Sequence, residues 1–230
     1  MKYNIITALI LILIVGGSIG WRSTAHASTP GAGTVTSNSS RGDTSNQAIN
    51  EAFNAKSTAV RLTLNSLLRE HAAMGAVTLT ALYQGNDTTR LMQLMNNNEN
   101  QLATLVQNAY GQNAKNTFVQ LWTQHMQEYQ NYTLARKNND TTKMNTAKQH
   151  LQVIANKFGN LFASSGKNLS AVTVSNLMMA HINGTLGIVD AVASGNATQT
   201  ANLMKAGYDQ AGKFADTLTR GMILDNPNKF

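Results

Sequence analysis

The sequence predicts an all-α protein, an up-and-down bundle of about six helices built from three αα-hairpin repeats. Three observations carry this. First, one nine-residue frame recurs: Thr, apolar, two variable, Leu, apolar, two variable, His. It reads Thr63-Leu64 to Leu67-Leu68 to His71, Thr117-Phe118 to Leu121-Trp122 to His125, and Thr173-Val174 to Leu177-Met178 to His181. The three histidines are almost evenly spaced along a chain that has only five, which marks an internal repeat. Second, the frame places Thr63, Leu64, Leu67, Leu68 and His71, and their counterparts, at steps of three and four, on one helix face. The histidines therefore point with the core stripe. Third, strand alternation is weak, and the only proline after Pro30 is Pro227, beyond the last expected helix, where it interrupts nothing.

At the N-terminus, Lys2 precedes an unbroken apolar run from Ile5 through Val15, and Ala25-His26-Ala27 forms a small-x-small cleavage signature. This is the layout of a signal peptide over 1–27. An uncleaved N-terminal membrane anchor is the alternative, since the stretch from Ile5 to Trp21 is at the lower edge of the roughly 17–25 residues that span a bilayer. Either arrangement places the folded part outside the cytoplasm, secreted or anchored to the outer face of the membrane. Gly16-Gly17-Ser18-Ile19-Gly20 matches the nucleophile-elbow pattern but sits inside this segment, without the strand and helix the elbow needs. Residues 28–44, rich in Ser, Thr, Gly and Asn, have the composition of a flexible linker, and Arg41-Gly42-Asp43 belongs to it. The helical-bundle domain occupies 45–230, enough for one substantial core.

Within that domain the periodicity predicts helices near 46–84, 87–109, 112–138, 140–163, 170–194 and 197–222, with room for a bend near Lys56 to Thr58. Each odd-numbered helix ends in a polar break: Gln84-Gly85-Asn86-Asp87, Asn138-Asn139-Asp140 and Ser194-Gly195-Asn196. Threonines follow at once, so an Asn or Asp cap and a new helix start are signalled. Asn86, Asn139 and Asn196 mark the break at nearly the same distance past His71, His125 and His181, with Asn139 one position nearer than the other two. Short loops make neighbours antiparallel, so the repeat histidines share a level in the bundle. A symmetric hairpin closure would return Asn98, His150 and Tyr208 to that level.

This pattern resembles a family of small bacterial helical proteins with three tandem hairpin segments. The matching residues are Leu67 to His71, Leu121 to His125, Leu177 to His181, Tyr208-Asp209, and Phe214-Ala215-Asp216 through Leu218 to Gly221. They cover about residues 60–225. The chain departs from the pattern in lacking an aromatic pair before His150. The resemblance implies the fold and no activity. Some members are labelled amino-acid kinases, a chemistry that requires an α/β fold with glycine-rich phosphate loops after strands, and this sequence has neither.

Two roles suit the recurring histidines. They are core residues that hydrogen-bond neighbouring helices and were copied by duplication, with no cofactor at all, or they form a site for a transition metal (Cu, Zn or Fe) or a haem. The metal ligands would be His71, His125, His181 and His150, with Glu70, Tyr208, Asp209 and Asp216 around them, since bundle cores build such sites from facing helices. Met74, Met126 and Met178 flank the three repeat histidines, a pairing that suits copper(I), although Met at core spacing also serves as filler. Convergence of the four histidines on one point favours metal; separate levels, each bonded to a carbonyl or amide, favour core architecture. Standard di-iron, zinc-protease and covalent-haem spacings are absent. No nucleophile and base, paired carboxylates or phosphate loop fall on one face, so the sequence predicts a non-enzymatic protein.

The chain has no cysteine, which excludes disulfides and thiolate ligands. Its net charge is +7, and without the Lys2 and Arg22 of the leader 16 basic residues face 11 acidic ones, net +5. These are dispersed, which excludes a nucleic-acid stripe. Charged residues are 13% of the chain, so exposed faces present amides and hydroxyls that suit a cell-envelope component or a partner protein. A binding or envelope-associated module is the expectation, with membrane contact only through the N-terminal segment if uncleaved.

Overall fold

A computed structural model describes residues 55–230. The expected signal peptide, the linker and the opening of the first helix at 46–54 lie outside the described residues. Six helices follow: α1 Ala55–Gln84, α2 Thr89–Tyr110, α3 Gln112–Lys137, α4 Thr141–Ser165, α5 Ala171–Ala193 and α6 Ala197–Asp225. No strand occurs among the described residues, and the described helix ends fall within three residues of those expected. The bend near Lys56 to Thr58 is absent, because nothing there removes a backbone donor or demands a left-handed turn, and 55–84 is one continuous helix.

The hairpin turns share one construction. Gly85, Asn139 and Gly195 adopt left-handed φ values of 82°, 56° and 69°, and each stands at the same distance past its repeat histidine. In each turn the next residue's N–H bonds back to a carbonyl five positions earlier: Asn86 to Ala81, Asp140 to Ala135, Asn196 to Ala191. This is the Schellman closure that satisfies the last helix carbonyls. The structural equivalents at the break are thus Asn86, Asp140 and Asn196, which follow their histidines at one common spacing, and Asn139 pairs with the two glycines. Asp140 caps α4 by accepting from the Lys143 N–H at 3.0 Å and Asn196 caps α6 by accepting from Gln199 at 3.0 Å. The first hairpin has one more residue, and there Asp87 accepts from the Thr89 N–H at 2.9 Å.

α1, α3 and α5 pack pairwise against one another and form an inner triangle. α2 lies on α1 and α3, α4 on α3 and α5, and α6 on α5 and α1, closing the ring. Helices α4 and α5 approach closely at Gly159, where a Cβ would run into Ser175 Oγ and the Ala171 carbonyl. α5 is long and apolar enough to cross a membrane by length and composition. In this fold its apolar residues serve the core, with Val174, Met178, Ile182, Leu186 and Val189 all buried.

Candidate metal centre

The inner triangle carries the histidine frame on all three of its helices, at corresponding heights. In each copy Leu67, Leu121 or Leu177 occupies the turn before the histidine, and Leu67 and Leu121 are buried while Leu177 packs partly buried against the core. The leucines and histidines of the frame thus face inward while Thr63, Thr117 and Thr173 turn to solvent at the edge of that face, and His71, His125 and His181 meet on the bundle axis. One nitrogen from each lies within 4.8 Å of the other two. The ring centroids are 5.6 Å apart for His71 to His125 and to His181, and 6.4 Å for His125 to His181. Trp122 lies tilted 4.4 Å from His71 and edge-on 4.8 Å from His125. Tyr129 meets His125 and His181 edge-on at 5.5 and 6.0 Å.

Burial in this aromatic and aliphatic surround disfavours the charged imidazolium. It pushes His125 down to about 3 and His181 to about 4. His71 lies well below its ordinary value, through burial first and then the neighbouring His181 and His125. All three rings are therefore neutral at pH 7, and a neutral imidazole keeps one lone pair. For His125 its place is determined. Nδ1 bonds the Trp122 carbonyl, which can only accept, so Nδ1 carries the hydrogen and Nε2 holds the lone pair. That Nε2 is buried without a hydrogen-bond partner, as are Nδ1 of His71 and Nε2 of His181. A backbone carbonyl fixing the outer nitrogen of a ring whose inner nitrogen is free is the arrangement that orients histidine ligands in metal sites.

His71, His125 and His181 line a cavity of about 20 Å³ together with Leu68, Trp122, Met178, Gln210, Ala211 and Phe214. It has room for one water-sized body. An ion bound at roughly 2.0–2.1 Å from each nitrogen fits after the rings close inward by about an ångström. Haem does not: cofactor sites occupy roughly 300–1,000 Å³, and the helices would have to part.

The chain matches no family model, no curated protein and no solved structure. The functional reading therefore rests on this geometry.

The structure separates the remaining sequence candidates from the axis. His150 reaches outward, with its side chain 55% exposed, and its Nδ1 pairs with Glu128 at 2.9 Å. Glu128 stands one helical turn past His125, and α4 turns the His150 face to solvent. Glu70 accepts from Asn98 Nδ2 at 3.0 Å. Tyr208 is exposed and lies under the Arg69 guanidinium, 4.5 Å from its ring centre. Asp209 bonds Lys205 at 2.6 Å, and Asp216 bonds Arg61 at 2.9 Å. These four belong to helix surfaces and the seam between α1 and α6, where charged partners are close and the axis is not.

One residue facing the axis was not found from sequence. Gln210 on α6 donates from Nε2 to the Leu177 carbonyl at 2.8 Å, which leaves its buried Oε1 without a partner in the cavity wall. In the first repeat Asn98 plays the same part, donating to the Leu67 carbonyl at 2.9 Å. Both reach the carbonyl four residues before a repeat histidine. That parallel is visible only once the hairpins are folded, because glutamine and asparagine crowd the sequence.

Proposed function

We propose that this chain is an extracytoplasmic metal-binding protein that holds one transition-metal ion between His71, His125 and His181. The observation that carries this reading is the convergence, within 4.8 Å, of three neutral imidazoles, His71 and His125 buried and His181 partly buried, with an unpartnered nitrogen on each. Buried polar atoms are almost always paired, and a cation would satisfy unpartnered nitrogens carried by three histidines that converge. If the histidines were core architecture alone, each would bond a carbonyl or amide of its own, and only His125 does so. The N-terminal apolar segment supports export of the domain.

A binding role at the surface has a separate support. A groove of about 390 Å³ between α4 and α5 is lined by Gln149, Gln152 and Asn183 beside Ile182 and Leu186. Amides next to aliphatic carbon, with Lys148 and Asp190 also in the lining, suit a polar ligand of the cell envelope, and such a role is compatible with a metal on the axis.

The test is elemental analysis of the full chain, loaded with Cu, Zn, Ni or Fe salts and desalted. About one ion per chain is expected in the native protein and in the His150→Ala variant, and none in the His71→Ala/His125→Ala/His181→Ala variant. A native protein that is folded by circular dichroism and retains no ion would overturn the reading.

A further inference from the structure

The lining of the axial cavity selects among ions. Its nitrogen donors are neutral, and among the described residues no carboxylate joins the three histidines as a convergent ligand. Glu70, next to His71 in sequence, is engaged by Asn98, and the chain has no cysteine. A divalent ion would therefore keep both positive charges inside an apolar wall of Leu68, Trp122, Ala211 and Phe214. The cost of desolvating an ion rises with the square of its charge, so a 2+ ion is penalised about four times as heavily as a 1+ ion of similar size. A cavity of about 20 Å³ admits no hydroxide or other anion beside the ion to relieve this.

The second selector is sulfur. Of the three methionines that flank the repeat histidines, Met178 alone lines the cavity, and it is 3% exposed. It stands three residues before His181, on the same face of α5. Thioether and imidazole together suit the cuprous ion, which also accepts the three-coordinate arrangement that one donor from each inner helix provides. Gln210 Oε1 is the opposing element, a hard oxygen donor in the same wall that would serve zinc or another divalent ion.

Resting on the tris-histidine site proposed above, we infer that the resident ion is copper(I), bound by His71, His125 and His181 with the Met178 thioether as its soft fourth neighbour, and that the site discriminates against divalent ions. No redox step is required, because the ion enters and leaves in the cuprous state.

The experiment is an anaerobic titration of the metal-free full chain with copper(I) against a chromophoric cuprous chelator. A parallel titration uses zinc(II) and cobalt(II), with folding followed by circular dichroism throughout. The expected result is one cuprous ion per chain that excess zinc does not displace. Met178→Leu, which preserves core volume, should weaken copper(I) at least about tenfold, the scale on which changes around a metal centre are felt, and leave zinc affinity unchanged. Gln210→Leu should leave copper(I) affinity within about threefold, well inside that scale. Preference for zinc or cobalt over copper(I) would overturn the cuprous assignment and leave the tris-histidine site standing. Unchanged copper(I) affinity in Met178→Leu would overturn the role of the sulfur. A folded chain that binds none of the three ions would overturn the site itself.

Discussion

The bundle axis and the seam between α1 and α6 are both rich in polar groups, yet they are built on opposite terms. In the seam, Arg61 bonds Asp216, Asn65 reaches Asp216 and the Gly212 carbonyl, Lys205 bonds Asp209, and Arg69 covers Tyr208. Every charge has a neighbour of opposite sign or an aromatic face, and solvent reaches most of them. On the axis three rings share one small cavity, all of one kind, with one nitrogen on each left unpaired. The comparison teaches that clustering alone does not identify a site. A seam that satisfies itself is complete, whereas the axis has bonding capacity left over.

Acid should separate the two regions most sharply. The folded-state values of the axial histidines are depressed below 6.5, so at acid pH the unfolded chain binds protons that the metal-free native state refuses. Their contribution is intact above about pH 6.5. It falls as pH drops toward the folded values of about 4 for His181 and about 3 for His125, at up to roughly 1.4 kcal/mol per pH unit for each ring. Asp209 and Asp216 are lowered from 3.8, first by their bonds to Lys205 and Arg61 respectively, so their part of the stability disappears only at lower pH. Urea melts of the metal-free protein between pH 7 and 4 should show a steep loss. In the His71→Ala/His125→Ala/His181→Ala variant that slope should flatten, and a native curve that is flat over this range would contradict the neutral buried rings.

His125→Ala comes next. It removes a fully buried ring that touches Trp122, Tyr129 and Phe158, and a loss of about 2–4 kcal/mol is expected, as for other large-to-small core changes. Chemical denaturation measures it, and a loss below about 1 kcal/mol would mean that the axis is less tightly packed than described. The smallest effect belongs to the seam. Arg61→Ala breaks a pair whose side chains are 57% and 44% exposed, and exposed pairs contribute under about 1 kcal/mol. A larger drop in the same melt would show that the seam does more than satisfy itself.

How much of this was legible in the sequence follows from periodicity. Leu67, Leu121 and Leu177, each four residues before a histidine, revealed the inward face of the odd-numbered helices and therefore the level at which the rings meet. The even-numbered helices carry no such marker. Their amide-rich faces gave no sign that α4 turns His150 to solvent while α6 turns Gln210 to the axis. Asp209 and Asp216 were drawn toward the centre by residue type, although Arg61, Arg69 and Lys205 stand ready on the same surface to claim them. Met178 was legible as a flank of His181; it reaches the cavity because it holds the frame position of Leu68 and Trp122, three residues before the histidine, all of which line it.

The closed ring of alternating inner and outer helices brings the three repeat histidines together where the inner helices meet. Such a centre belongs to no single repeat. Each hairpin supplies one imidazole, so neither one copy nor two can form the cluster. Only the third completes the histidine triangle and, with α6 docking on α1, closes the wall around it. The chain is in effect a trimer with its subunits fused, in which joining the protomers lets the three positions diverge. Asn98 and Gln210 occur in two repeats and Met178 faces the cavity from one, an asymmetry that a true homotrimer could not maintain.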